Sequence, residues 1–144
     1  MEQVKKKYEQ MMQAVNTLEC AIDNLKNIGR IRIEPGYLID IEDSLRDSVV
    51  KRFEYCTDLL WKYVKTYLEE IQSVILETST PREIFRTALR VEILTEGEVE
   101  QVLEMIKMRN HTSHIYKQEI ADFVAKKAPE FYALMRVILQ KTKP

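Results

Sequence analysis

The stretch Val50–Glu70, VKRFEYCTDLLWKYVKTYLEE, decides the fold. Phe53, Cys56, Leu60, Val64 and Tyr67 return at steps of three or four residues, the period of one face of an α-helix. Leu45 and Val49 before it, and Ile71 and Ile75 after it, carry the stripe on, which predicts a single helix over about 41–77. Tyr55, Trp61 and Tyr63 lie beside the stripe. Aromatic residues at helical spacing are the mark of core or subunit interface more than of a ligand box, and apolar residues beyond one narrow stripe predict a second buried face and hence an oligomer.

The same period recurs on both sides. Val4, Tyr8, Met11, Met12, Val15, Leu18, Ile22 and Leu25 mark a first helix, with Gly29 placed as its stop. Residues 30–40 hold Pro35 and Gly36 and read as a connection; the alternation of Ile31 and Ile33 is too short to carry a sheet alone. Thr80-Pro81-Arg82-Glu83 is a capping box with proline at the first helical position, opening a short helix over 81–94. Thr95-Glu96-Gly97-Glu98 repeats the box and opens a helix through Val99, Val102, Leu103 and Ile106. Asn, Thr and Ser at 110–114 predict a break or tight bend there. A last helix carries Ile120, Phe123, Val124, Phe131, Leu134 and Ile138, and Pro129 inside it is expected to kink or divide it. The sum is all-α: an antiparallel up-and-down four-helix bundle with an additional short helix, one domain over 1–144.

Composition sets bounds on function. With 144 residues, 45% hydrophobic and 31% charged, the chain can bury a single core, and three glycines and four prolines leave little material for strands and turns. A net charge of −1 gives no global field for nucleic acid or membrane, so any anionic ligand needs a local basic cluster. Cys20 and Cys56 are far apart and read as reduced thiols of a cytoplasmic protein, Cys56 in the core. No window approaches the ~18 apolar residues of a membrane span, and the first ten residues hold no apolar signal core.

Both histidines of the chain fall in Met108–Tyr116, MRNHTSHIY, between an arginine and a tyrosine. In an unbroken helix Arg109 and His114 stand about 140° apart; a bend at Asn-Thr-Ser would let them converge. A guanidinium that clamps phosphate and an imidazole that moves protons are the parts needed to cleave RNA without a metal or other cofactor. The plainer reading is a capping or exposed histidine, with Tyr116 a core aromatic. A zinc site on His111 and His114 lacks third and fourth ligands nearby. Arg82, Arg86 and Arg90, four apart, form a basic edge on the short helix. That edge is either a solvated face paired with Glu83 and Glu92 or an anion-tracking strip for an RNA backbone or acidic partner.

Arg109–His114 resembles the Arg-x4-6-His signature of HEPN domains, and with Tyr116 the Arg-x4-His-x-Tyr form found beside minimal nucleotidyltransferases. Together with VKRFEYCTDLLWKYVKTYLEE (50–70) and TPREIFRTAL (80–89), EMIKMRNHTSHIY (104–116) is similar to the helical subunits called nucleotidyltransferase substrate-binding proteins, over roughly 45–125. The resemblance implies a homodimer in which Arg109 and His114 perform metal-independent RNA cleavage in a shared cleft. It implies a nucleotidyltransferase antitoxin as partner, which silences the toxin by adenylylating Tyr116. Asn110 and Ser113 are then supporting polar groups, and Glu54 orients the motif from the second helix. His111 departs from the pattern, since an apolar residue is expected in that spacer. Two functions follow: a ribonuclease toxin, or a silent subunit that presents substrate to the nucleotidyltransferase. A third reading, a structural bundle whose motif only completes an interface, does not use the Arg-His pair.

Overall fold

The computed structural model describes residues 2–30, 34–114 (side chains to 112) and 118–144. Five α-helices follow in order: α1 (Glu2–Lys26), α2 (Leu38–Glu70), α3 (Pro81–Arg90), α4 (Glu96–His114) and α5 (Gln118–Lys141). Two 3-10 turns, Ile28–Arg30 and Pro35–Tyr37, lie in the connection after α1. Among the described residues there is no strand; Ile31 and Ile33 lie outside them. No helix among those residues is long and apolar enough to cross a membrane.

Side-chain contacts give the helix directions. Lys7 bonds Thr66 on α2, while Cys20 shares a surface pocket with Ser48 and Arg52, so α1 and α2 run antiparallel. Arg46 pairs with Asp122, Phe53 stacks on Phe131 with ring centroids 5.3 Å apart, and the Tyr63 hydroxyl donates to the Thr142 carbonyl, so α2 and α5 run parallel. Glu98 at the start of α4 meets Lys141 at the end of α5, which makes that pair antiparallel. The long helices therefore alternate in direction, as an up-and-down bundle requires. Helix α2 touches all four others. Its stripe of Phe53, Cys56, Leu60, Val64 and Leu68 is fully buried, and each such large apolar side chain contributes about 1.5–3 kcal/mol by leaving water. Burial also pushes the Cys56 thiol up to about 12, so it stays protonated in the core, whereas Cys20 is exposed.

Three features differ from what the periodicity and the breakers predict. Helix α2 stops at Glu70 rather than near 77: Ser73 turns left-handed (φ 54°), and the amides of Gln72 and Val74 return to the carbonyls of Tyr67 and Leu68. Ile71, Val74 and Leu76 still pack on the core from this turn, but Ile75, the last member of the stripe, is 93% exposed. Helix α3 ends at Arg90 rather than 94 in a Schellman turn: Glu92 has φ 62°, the Ile93 amide donates to Ala88, and the Glu92 amide donates to Leu89. Pro129 does not divide α5. Pro129 is exposed on the outer face, and the helix runs on through it with packing of Val124, Ala128 and Phe131 on either side, at the cost of the amide bond that proline cannot give to Ala125.

The box at Thr95 is complete, whereas at Thr80 only the threonine half forms, because the Glu83 carboxylate is bonded to Arg90 instead of the Thr80 amide. Thr80 Oγ1 accepts from the Glu83 amide at 3.3 Å. Thr95 and Glu98 exchange both bonds, the Glu98 amide to Thr95 Oγ1 at 3.2 Å and the Thr95 amide to Glu98 Oε1 at 2.8 Å. Burial disfavours the charged Glu98 carboxylate, but Lys141 at 2.6 Å and the Thr95 amide outweigh it and hold the carboxyl below its ordinary value. These contacts fix where α3 and α4 begin, and thereby the wall and floor of the site below.

Candidate functional site

The segment 110–114 does not bend. Helix α4 continues through His114, because the Thr112 hydroxyl, free to cap a new helix, instead donates back to the Arg109 carbonyl at 2.7 Å. Positions 109 and 114 are therefore about 140° apart around one helix. The bend expected at Asn-Thr-Ser is absent from the backbone up to His114. The side chains of Ser113 and His114, and all of Tyr116, lie outside the described residues.

Arg109 points from α4 to α2. Its Nε donates to Asp58 Oδ1 at 3.1 Å and Nη2 to Oδ2 at 3.0 Å, a bidentate pair, while Nη1 lies 3.4 Å from Glu54 Oε2. Glu54 and Asp58 are one turn apart on α2, so both carboxylates face the same guanidinium. The hydrogen bonds that Arg109 donates to Asp58 raise its pKa above the ordinary value, against the opposing effect of burial. The side chains of Arg109 and Glu54 are largely shielded (20% and 15% exposed) and that of Asp58 is half open at 42%, so solvent screens part of the attraction. Glu54 faces the Arg109 guanidinium from α2. Asp58 is absent from the sequence reading, although its spacing of four from Glu54, on a helix edge beside the buried stripe, is a signal for a cation opposite.

The other side of α4 carries a groove of about 650 Å³. Leu103, Ile106, Lys107, Asn110 and His111 form its α4 side, and Thr80, Pro81 and Arg82 at the start of α3 form the opposing wall. Arg82 and Arg86 are exposed and unpaired among the described residues, whereas Arg90 is bound to Glu83 and to the Thr87 hydroxyl, at 2.9 and 2.8 Å. The basic edge of α3 is therefore not uniform: its last arginine fastens the helix, and its first borders the groove. His111, unexplained by the sequence, is a groove residue.

Solved structures share this architecture. A protein of Thermus thermophilus is 26% identical, with 88% of this chain and 99% of that one covered at a TM-score of 0.65. A substrate binding domain of a nucleotidyltransferase from Haemophilus influenzae is 22% identical, with 95% and 99% covered at 0.75. A tri-AMPylated HEPN toxin of Shewanella oneidensis, in complex with MNT antitoxin, is 16% identical, with 92% and 96% covered at 0.65. No curated protein matches the chain. The family described as "Nucleotidyltransferase substrate binding protein like" matches residues 6–144.

Proposed function

Because the chain belongs to the nucleotidyltransferase substrate binding protein-like family, we propose that it is the HEPN-type subunit of a two-component pair with a minimal nucleotidyltransferase, a metal-independent ribonuclease toxin silenced by adenylylation of Tyr116. The observation that carries this reading is Arg109, held by Glu54 and Asp58 five residues before His114 in the Arg-x4-His-x-Tyr motif. The HEPN toxin of Shewanella, with its AMP groups and MNT antitoxin, supports the partner and the modification.

In this mechanism His114 takes the proton of a ribose 2′-hydroxyl. The 2′-oxygen forms a bond to the adjacent phosphorus while the bond to the 5′-oxygen breaks, and the departing 5′-oxygen takes a proton from water, leaving a cyclic phosphate and a free 5′-hydroxyl. Arg109 steadies the crowded phosphorane. Asp58 engages Nε and one Nη2 N–H and Nη1 is buried beside Glu54, so the second Nη2 N–H is the donor the fork keeps for phosphate. With positions 109 and 114 on different sides of α4, a homodimer that brings two copies together completes the cleft. The partner joins the Tyr116 oxygen to the α-phosphorus of ATP with loss of pyrophosphate, adding bulk and negative charge two residues from His114.

The test is RNA cleavage in EDTA by dimeric protein whose Tyr116 is shown by intact mass to be unmodified. Loss of cleavage in Arg109→Ala and His114→Ala is the expected result; an inactive wild type ends the enzyme reading. The family's description favours one second reading, a subunit that binds substrate for the nucleotidyltransferase without cutting it. That reading predicts no cleavage, with acceptor adenylylation by the partner dependent on this chain.

A further inference from the structure

Arg109 cannot by itself attract a polyanion. With Glu54 and Asp58 ionised beside it, the group carries one positive and two negative charges, a formal sum of −1. A protein of net charge −1 that grips RNA needs its positive potential elsewhere. On α4 it lies in the groove. Arg82, Lys107 and His111 line that groove, no carboxylate does, and among the described residues none of the three makes an ion pair. The two α4 positions are aligned with the motif: 107 and 111 are one turn apart, and 114 continues the same side of the unbroken helix, within about 60° of both. Leu103 and Ile106 add an apolar floor next to the cations. A volume of about 650 Å³ is the size of a site for one nucleotide.

We infer that this groove is a nucleotide subsite for single-stranded RNA: it takes the phosphate beside the scissile one among Arg82, Lys107 and His111, with the attached base over Leu103 and Ile106. The inference rests on the reading of the protein as an RNA-cleaving subunit. Arg82 supplies a planar fork for the phosphate and Lys107 a point charge. The His111 imidazole supplies an N–H donor in either tautomer. The subsite sets the register of the strand, so that the phosphate presented at position 114 is fixed by the one held in the groove.

The experiment measures binding without chemistry. A labelled short oligouridylate is titrated by fluorescence anisotropy against the His114→Ala protein, over a salt series, and against the same protein carrying Arg82→Gln, Lys107→Gln or His111→Gln. Lys5→Gln, on the exposed face of α1, serves as the charge-matched control. Each arginine or lysine variant is expected to weaken binding about threefold to tenfold, and the two together to reduce the salt slope by about 0.7, one single-strand phosphate contact. His111→Gln weakens binding without the control doing so. A triple variant that binds with unchanged affinity and slope overturns the subsite, whether or not the wild type cleaves RNA. Uridine monophosphate bound as tightly as the strand also overturns it, assigning the groove to a free nucleotide. Conversely, a wild type that fails to cleave, with binding still sensitive to the groove residues, removes the ribonuclease reading and leaves the subsite standing. Arg82, Lys107, His111 and Lys5 are all exposed, and thermal melts confirm that each variant is folded.

Discussion

On the α2 side of α4, Arg109 meets two carboxylates; on the α3 side, Lys107 and His111 meet none, and Arg82 stands unpaired across the groove. The two sides belong to the same short helix segment, yet their cations do different physical work. A guanidinium tied to Asp58 and Glu54 has a fixed position and little outward field. Unpaired cations around a concave surface have a field but looser positions. A phosphate site benefits from both, and α4 separates them onto opposite sides.

Removing the fixed cation gives the largest effect. Arg109→Ala leaves Glu54 and Asp58 facing each other without compensation, so chemical denaturation is expected to show a loss of about 1–2 kcal/mol, less than a fully buried pair because Asp58 is half open. RNA cleavage falls by about a hundredfold or more, the scale for losing a preorganised oxyanion donor. Arg109→Lys keeps the charge but loses the bidentate geometry, and recovers less than about a tenth of the activity.

Asp58→Asn separates position from field. It removes a negative charge beside Arg109 while keeping an oxygen acceptor, so RNA binding should tighten severalfold at low salt while cleavage falls with the loosened fork. Groove variants do the opposite and weaken binding. If Asp58→Asn and Lys107→Gln shift affinity in the same direction, the contrast between the two sides of α4 is wrong.

At the far end of α4, Glu98 is a charge engaged only in structure. Glu98→Gln is expected to cost about 1 kcal/mol by weakening the Lys141 pair and the reciprocal cap, with RNA binding unchanged. Its folded-state pKa is lowered, so the stability it provides is present above the ordinary carboxylate range and is lost as pH falls through the lowered value. Wild type and variant should therefore converge in stability in acid. The smallest effect concerns the helix that forms the groove wall. Glu92→Gly relieves a side chain held at φ 62° in the turn after α3 and should raise stability by about 0.5–1 kcal/mol.

What the sequence disclosed follows from how local each feature is. The caps at Thr80 and Thr95 lie within four residues and can be read directly, although Glu83 gives its carboxylate to Arg90 rather than closing the first box. The stripes of α1, α2 and α5 need only one helix and a core. Ser73 and Glu92 stop their helices in a left-handed conformation without glycine or asparagine, so no residue type announces the turn. Thr112 misleads because the hydroxyl that can cap a helix can equally bond back into one. The Arg109 clamp spans 51 residues and exists only once α2 and α4 are docked. Glu54 is legible through its motif, whereas Asp58, which makes the better hydrogen bonds, is not. The groove likewise joins residues near 80 with residues near 110, and no single segment carries its charge.

The hydroxyl of Tyr63 is shut in the core against the Thr142 carbonyl, and burial drives its ionisation well above that of an ordinary phenol. The unfolded chain gives up that proton earlier, so alkali favours opening of the bundle through this group. It also makes one tyrosine of seven an optical gauge. In a spectrophotometric titration, the phenolate lost on Tyr63→Phe marks the pH at which α2 and the end of α5 come apart, with no label added.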